Sequence, residues 1–186
     1  MPLLWQGGDM TVLLRPWRPT DAPALVAARA SAADLDTQFP DVDLSTTDQA
    51  AAHIASALPF GGRTKHWAIV DDGVAVGDIA LSAIEWRHET AWVSYWLAAG
   101  ARGRGLATDA LTAVVDYAFA DGLFRLELGH RVNNPASCHV ASRAGFVAEG
   151  LERAKLRYGD ERFDVETHAR LATDPVPTGR GLPIED

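Results

Sequence analysis

The apolar pattern of the chain changes period abruptly at one loop, and that change restricts the fold to a layered mixture of strands and helices. Thr90 to Leu97 is β-rich, whereas Leu106, Ala110, Leu111, Val114, Val115, Ala118 and Phe119 fall on one stripe of a long amphipathic helix. The junction, Leu97-Ala98-Ala99-Gly100-Ala101-Arg102-Gly103-Arg104-Gly105-Leu106-Ala107-Thr108, carries two arginines among three glycines. A helix start leaves backbone N–H groups unpaired and carries partial positive charge, and glycines let an anion approach the main chain. In a chain of net charge -8 this cluster is best explained by a bound anion.

Upstream, Thr11 to Trp17 reads as a first strand. Arg18-Pro19-Thr20-Asp21 offers helix-capping chemistry before the helical run Ala22 to Ala30, and a second helix spans Thr46 to Leu58, ended by Pro59 and Gly61-Gly62. His66 to Val70, Val74 to Glu85 and Thr90 to Leu97 form an antiparallel meander joined at Asp71-Asp72-Gly73 and Arg87-His88. Downstream, the long helix stops at Asp121-Gly122, and Leu123 to Leu128 alternates as a strand with one buried face. Asn134-Pro135 opens a further helix as N-cap and first residue, and Gly145 closes it. Phe146 to Leu156 and Arg162 to Leu171 are the last two strands, joined at Tyr158-Gly159-Asp160. Trp67, Trp86, Trp92 and Trp96 are expected as core or pocket wall, with Phe39, Trp67 and Trp86 among the positions expected to supply substrate-pocket walls.

At 186 residues the chain is one domain long, with an extension over 1–10, a folded unit over 11–173 and a flexible tail over 174–186 that has little to bury. No apolar run approaches the ~20 residues of a membrane helix, and Met1 to Asp9 lacks the pattern of a secretion signal, so a cytoplasmic protein without membrane contact is expected. Cys138 is the only cysteine, which excludes a disulfide framework and a cysteine-cluster zinc site, and no metal is expected. The acidic balance, with a pI near 5.1, disfavours nucleic acid and favours a cationic partner such as an amine.

Two familiar phosphate loops fail here. A dinucleotide fingerprint would need Gly or Ala where Thr108 stands and a preceding parallel strand, and a P-loop would need a Gly-Lys pair, whereas the only lysines are Lys65 and Lys155. Arg102-Gly103-Arg104-Gly105-Leu106-Ala107 instead resembles the Arg/Gln-x-x-Gly-x-Gly/Ala signature of the GNAT N-acetyltransferase superfamily. Leu14-Arg15-Pro16-Trp17, Ser94-Tyr95-Trp96-Leu97, Asn134-Pro135-Ala136-Ser137 and Gly145-Phe146 are similar to its RimJ/RimL branch of ribosomal-protein N-acetyltransferases.

The resemblance implies a single-domain α/β fold: a twisted, mostly antiparallel sheet of about seven strands flanked by helices. It implies acetyl-CoA, or another acyl-CoA, as co-substrate and an amine-bearing acceptor, a protein N-terminus or a small molecule. By position, backbone groups of Leu97 and Ala99 would pair with the pantetheine arm. Backbone N–H groups of Arg102, Gly103, Arg104, Gly105, Leu106, Ala107 and Thr108 would hold the pyrophosphate, and Asn134 and Ser137 would lie near the sulfur. Ser137 is the candidate catalytic group, donating a hydrogen bond to the departing thiolate, while the amine attacks the thioester directly. Lys155 or a neighbour stands where family members can carry a glutamate, with Glu152 nearby but not equivalent, so the base stays open among a water chain, an amine that enters already neutral, Glu85 and His168. Three functional readings follow: an acyltransferase, including one using succinyl-CoA; a non-catalytic acyl-CoA sensor; and an interaction module, against which the charge argues. Whether the chain forms a homo-oligomer is open at this stage.

Overall fold

The computed structural model describes residues 12–185, so the extension over 1–10 and Thr11 lie outside the described residues. The first strand, β1, is Val12–Pro16; a 3₁₀ turn at Pro19–Asp21 leads into α1, Ala22–Ala30. Another 3₁₀ segment, Ala33–Gln38, precedes α2, Thr47–Ala57, whose N-cap Thr46 accepts a hydrogen bond from the Gln49 N–H while Gln49 Oε1 accepts from the Thr46 N–H. The meander follows as β2, Lys65–Asp71, β3, Val74–Glu85, and β4, Thr90–Leu97. Then come α3, Leu106–Ala120; β5, Arg125–Arg131; α4, Pro135–Arg143; β6, Val147–Tyr158; and β7, Glu161–Leu171.

The strands form one sheet in the order β1-β2-β3-β4-β5-β7-β6. Every neighbouring pair is antiparallel except β4 with β5. A parallel neighbour needs a crossover, and α3 supplies it. One face is covered by α3 and α4 over Trp67, Ile69, Ile79, Leu81, Leu126 and Leu128; the other by α1 and α2 over Ala68, Val70 and Trp96. The two-residue alternation of each strand sends successive side chains into these two layers.

Two expectations need correction. Trp67 is fully buried, packed edge-on against Tyr117 and Phe60, and Phe39 packs edge-on to Trp96 in the second core; neither borders the cavity between the end of β4 and the start of α3. Trp86 is 45% exposed and donates to the Gly62 carbonyl. The tail does have something to bury. Leu182 and Ile184 pack against the α3 face, the Leu14 N–H donates to Pro183 O at 2.8 Å, and the Glu185 N–H donates to Leu14 O at 2.8 Å. The tail thereby covers the outer edge of β1, a row of backbone groups that a sheet edge otherwise leaves open.

Strand β5 runs three residues past its expected end, to Arg131. Antiparallel pairing with β7 through Arg131↔Val165 carries it on, although its pairing with β4 has already stopped.

Candidate active site

The site is built by a fork in the sheet. β4 and β5 pair only at Thr90↔Arg125, Ala91↔Leu126 and Trp92↔Glu127, and then separate. Side-chain bulk explains the start of the fork. The Trp92 ring lies over Gly129, where a built Cβ would approach it to 3.2 Å and Val165 to 2.9 Å, so only glycine fits there. Beyond the fork the Ala98 N–H bonds Val76 O on β3, so the alternation of a strand turns the backbone groups of Tyr95 and Leu97 toward the open side.

A cavity of about 510 Å³ occupies the space, walled by Tyr95, Trp96 and Leu97 of β4, the loop and first turn of α3, and one face of α4. The loop turns on Gly103 (φ 75°) and Gly105 (φ 82°), both left-handed, and Gly105 is the N-cap of α3. Gly103, Gly105, Leu106, Ala107 and Thr108 all border the cavity, together with Arg102, Asn134 and Ser137. With Leu97, the sequence-named residues make up nine of the nineteen that border it.

Three sequence-named groups sit elsewhere or do something else. The Ala99 N–H donates to Ser31 Oγ at 3.0 Å, and Ala99 does not border the cavity, so the implied pantetheine contact is not available from it. Arg104 is paired with Asp71 at 2.6 Å, away from the cavity. Arg102 borders it, yet its guanidinium bonds both carboxylate oxygens of Asp34 and the Leu97 carbonyl. The two arginines thus brace the loop against Asp34 and Asp71, and the positive field inside it comes from backbone N–H groups and the start of α3.

Asn134 caps α4 through Oδ1, which accepts from the Ser137 N–H at 3.2 Å. Ser137 Oγ lies 2.9 Å from Tyr95 Oη. Burial pushes the Tyr95 phenol above its ordinary range, against a smaller opposing effect of the Ser137 hydrogen bond, so the phenol keeps its proton. The phenol also reaches the Ser137 carbonyl, at 3.3 Å, so it is the arrangement in which Tyr95 donates to Ser137 Oγ that leaves the serine O–H to aim into the cleft.

Sequence reasoning gave no role to Tyr95 or to Arg143. The signal for Arg143 was present: Ser137, Val140 and Arg143 recur every three residues on α4, and all three border the cavity. Asp109 also borders it; burial raises its carboxyl, with Arg143 pulling the other way. Of the bases left open, Glu85 pairs with Thr90 at the far end of β4, about 23 Å of strand from Leu97. Glu152 is tied to Lys155, which also sits over the Trp92 ring. His168 is buried, against His130 and Glu166.

Residues 11–147 match the family described as Acetyltransferase (GNAT) domain. The ribosomal-protein-serine acetyltransferase of Escherichia coli (strain K12) is 34% identical over 111 residues, 59% of this chain and 62% of that protein, so the match spans less than two thirds of that relative. The probable N-acetyltransferase YjcK of Bacillus subtilis (strain 168) is 29% identical over 173 residues, 88% of this chain and 96% of that protein. Among solved structures, RimL, a ribosomal L7/L12 alpha-N-protein acetyltransferase in complex with coenzyme A, superposes with a TM-score of 0.78 at 25% identity, covering 87% of this chain and 94% of that one.

Proposed function

The chain belongs to the GNAT acetyltransferase family, and from that premise we propose that it moves an acetyl group from acetyl-CoA to the α-amine of a protein N-terminus. The observation that carries this reading is the fork between β4 and β5, which puts a left-handed glycine loop at a helix start and a Tyr95–Ser137 hydroxyl pair on one cavity.

In this reading the pyrophosphate lies on the N–H groups of Gly103 to Thr108. Arg143, which makes no salt bridge among the described residues, adds full charge. The pantetheine arm runs along the open side of β4 at Tyr95 and Leu97. The amine nitrogen attacks the thioester carbon, the C–S bond breaks, and the departing sulfur meets an O–H of the Tyr95–Ser137 pair. The amine must arrive neutral, and its second proton leaves to water.

The protein-amine acceptor is supported by the names of the relatives, two of which describe acetylation of ribosomal proteins. An acidic surface also favours approach of a cationic N-terminus. The sensor alternative draws no support from relatives that are each named as acetyltransferases.

The test is release of free CoA thiol from acetyl-CoA with peptides carrying different N-terminal residues, beginning with serine, next to polyamine and aminoglycoside acceptors. Turnover on N-terminal peptides alone is the expected result. Turnover only on small amines would move the acceptor class, and CoA binding without turnover on any acceptor would revive the sensor.

A further inference from the structure

Behind Ser137, on the side of α4 that faces the sheet, four side chains from three elements converge. His130 lies on β5; Glu166 and His168 lie two apart on β7 and so share a face; Cys138 is in the first turn of α4. The register places His130 directly opposite Glu166 and two pairs along from Leu128↔His168. One ligand atom from each residue lies within 4.8 Å of all the others.

The spacings, from 3.0 Å up to the 4.8 Å limit of the group, bracket the edges of a small coordination polyhedron. His130 Nε2 is 3.0 Å from His168 Nε2 and 3.4 Å from Glu166 Oε2; His168 Nε2 is 3.0 Å from the same oxygen, and Cys138 Sγ is 3.7 Å from it. A tetrahedral ion with bonds of about 2.0–2.1 Å to N and O and about 2.3 Å to S needs edges of about 3.3–3.6 Å.

Proton bookkeeping shows why these atoms need more than one another. His130 Nδ1 lies 3.1 Å from the Arg131 carbonyl, so it carries the ring proton and donates it, which leaves Nε2 with a lone pair. His168 Nε2 can serve that lone pair or the carboxylate, and its own Nδ1 is then a buried atom with no partner. With the His168 proton on Nδ1, lone pairs of both imidazoles and of Glu166 face one another beside the Cys138 thiol, and both imidazoles are almost wholly shielded from water.

We propose that His130, Cys138, Glu166 and His168 bind one divalent metal ion of borderline softness, with zinc the best fit. Two imidazoles, a thiolate and a carboxylate in tetrahedral reach suit zinc over magnesium or calcium, which take oxygen shells. The Nδ1–H bond from His130 to a backbone carbonyl is the outer contact that orients a metal-bound imidazole. Four protein ligands fill the shell, so the ion is structural. It ties the first turn of α4, and with it Ser137, to β5 and β7; Arg170 ties the other end, donating to Ala144 O at 2.9 Å. Binding releases the Cys138 thiol proton to solvent.

The test uses the whole chain, without acetyl-CoA, so its outcome is independent of the acyltransferase reading. Protein purified and dialysed in metal-free buffer is analysed for metal by mass spectrometry, stripped with a chelator, and titrated with Zn2+ and with Co2+. The expected result is about one zinc per chain and, with Co2+, the intense visible bands of a four-coordinate site plus a thiolate-to-cobalt band in the near ultraviolet. Cys138→Ser should abolish the thiolate band, and Glu166→Gln should weaken Zn2+ binding about 100-fold or more, beyond the loss of an outer contact. If either variant does not fold, the wild-type cobalt spectrum decides alone. Wild-type protein that takes up neither ion, or a cobalt spectrum without the thiolate band, overturns the site and leaves the four groups as a proton-sharing network.

Discussion

The Tyr95–Ser137 pair is the point at which single atoms are asked to do chemistry. Ser137 Oγ is within hydrogen-bond distance of the phenol, and with Tyr95 as donor the serine O–H remains for the cleft. Ser137→Ala removes the hydroxyl nearest the start of α4, and we expect kcat to fall about 100-fold, the usual worth of a positioned proton donor, with little change in the KM for acetyl-CoA. Tyr95→Phe should cost less, because Ser137 keeps its own O–H. Steady-state kinetics on one peptide acceptor checks both. A larger loss in Tyr95→Phe than in Ser137→Ala would mean that the phenol, not the serine, meets the sulfur.

Among the elements, the loop before α3 and the tail each make a separate demand. Gly105 sits at φ 82°, and a built Cβ would meet only Asp109 Oδ2, at 3.9 Å. Gly105→Val therefore has room but the wrong backbone, at a stability cost of about 1–2 kcal/mol, and it puts a branched side chain where phosphate oxygens are proposed to lie. CoA affinity measured by calorimetry should weaken about tenfold or more; unchanged affinity would refute the loop assignment. Deleting residues 174–186 uncovers the edge of β1 and the groove at Ala113, where a Cβ on Gly181 would come within 2.8 Å of the backbone. Loss of two partly buried aliphatic side chains and their backbone bonds should cost about 2–3 kcal/mol, read as a Tm lower by about 5–10 °C. A truncated chain with an unchanged Tm would show that the tail contributes nothing to the fold.

For the molecule as a whole, the clearest pH dependence comes from the buried pair at the end of β1. Arg15 holds both oxygens of Asp21 at 2.7 Å, and both side chains are about 8% exposed. Burial alone would raise the Asp21 carboxyl, but hydrogen bonds from Arg15 and from the Arg18 N–H outweigh it and hold the carboxyl below the usual range. A depressed carboxylate stabilises the fold above its unfolded value of about 3.9 and loses that contribution as pH falls through the native value. Urea midpoints should therefore drop on acidification below about pH 4, and Asp21→Asn should remove that part of the drop. The variant should also cost about 3–5 kcal/mol at neutral pH, because Arg15 is left buried and unpaired.

Local pattern was enough to define the order of strands and helices, the glycine loop and the Asn134 cap, because each depends on residues a few positions apart whose period or turn chemistry is written in the chain. Ser137 was named through the resemblance of Asn134-Pro135-Ala136-Ser137 to a family element, and the structure places it on the cavity wall beside Tyr95. Only the tertiary structure decided what the arginines of the loop hold, since Asp34 and Asp71 approach from 68 and 33 residues away. It alone carried the tail back to Leu14, turned Trp67 from pocket wall to core, and extended β5 far enough to bring His130 opposite Glu166. Contacts of that kind depend on strand register and on which face a crossover covers, and neither leaves a signature in a local window.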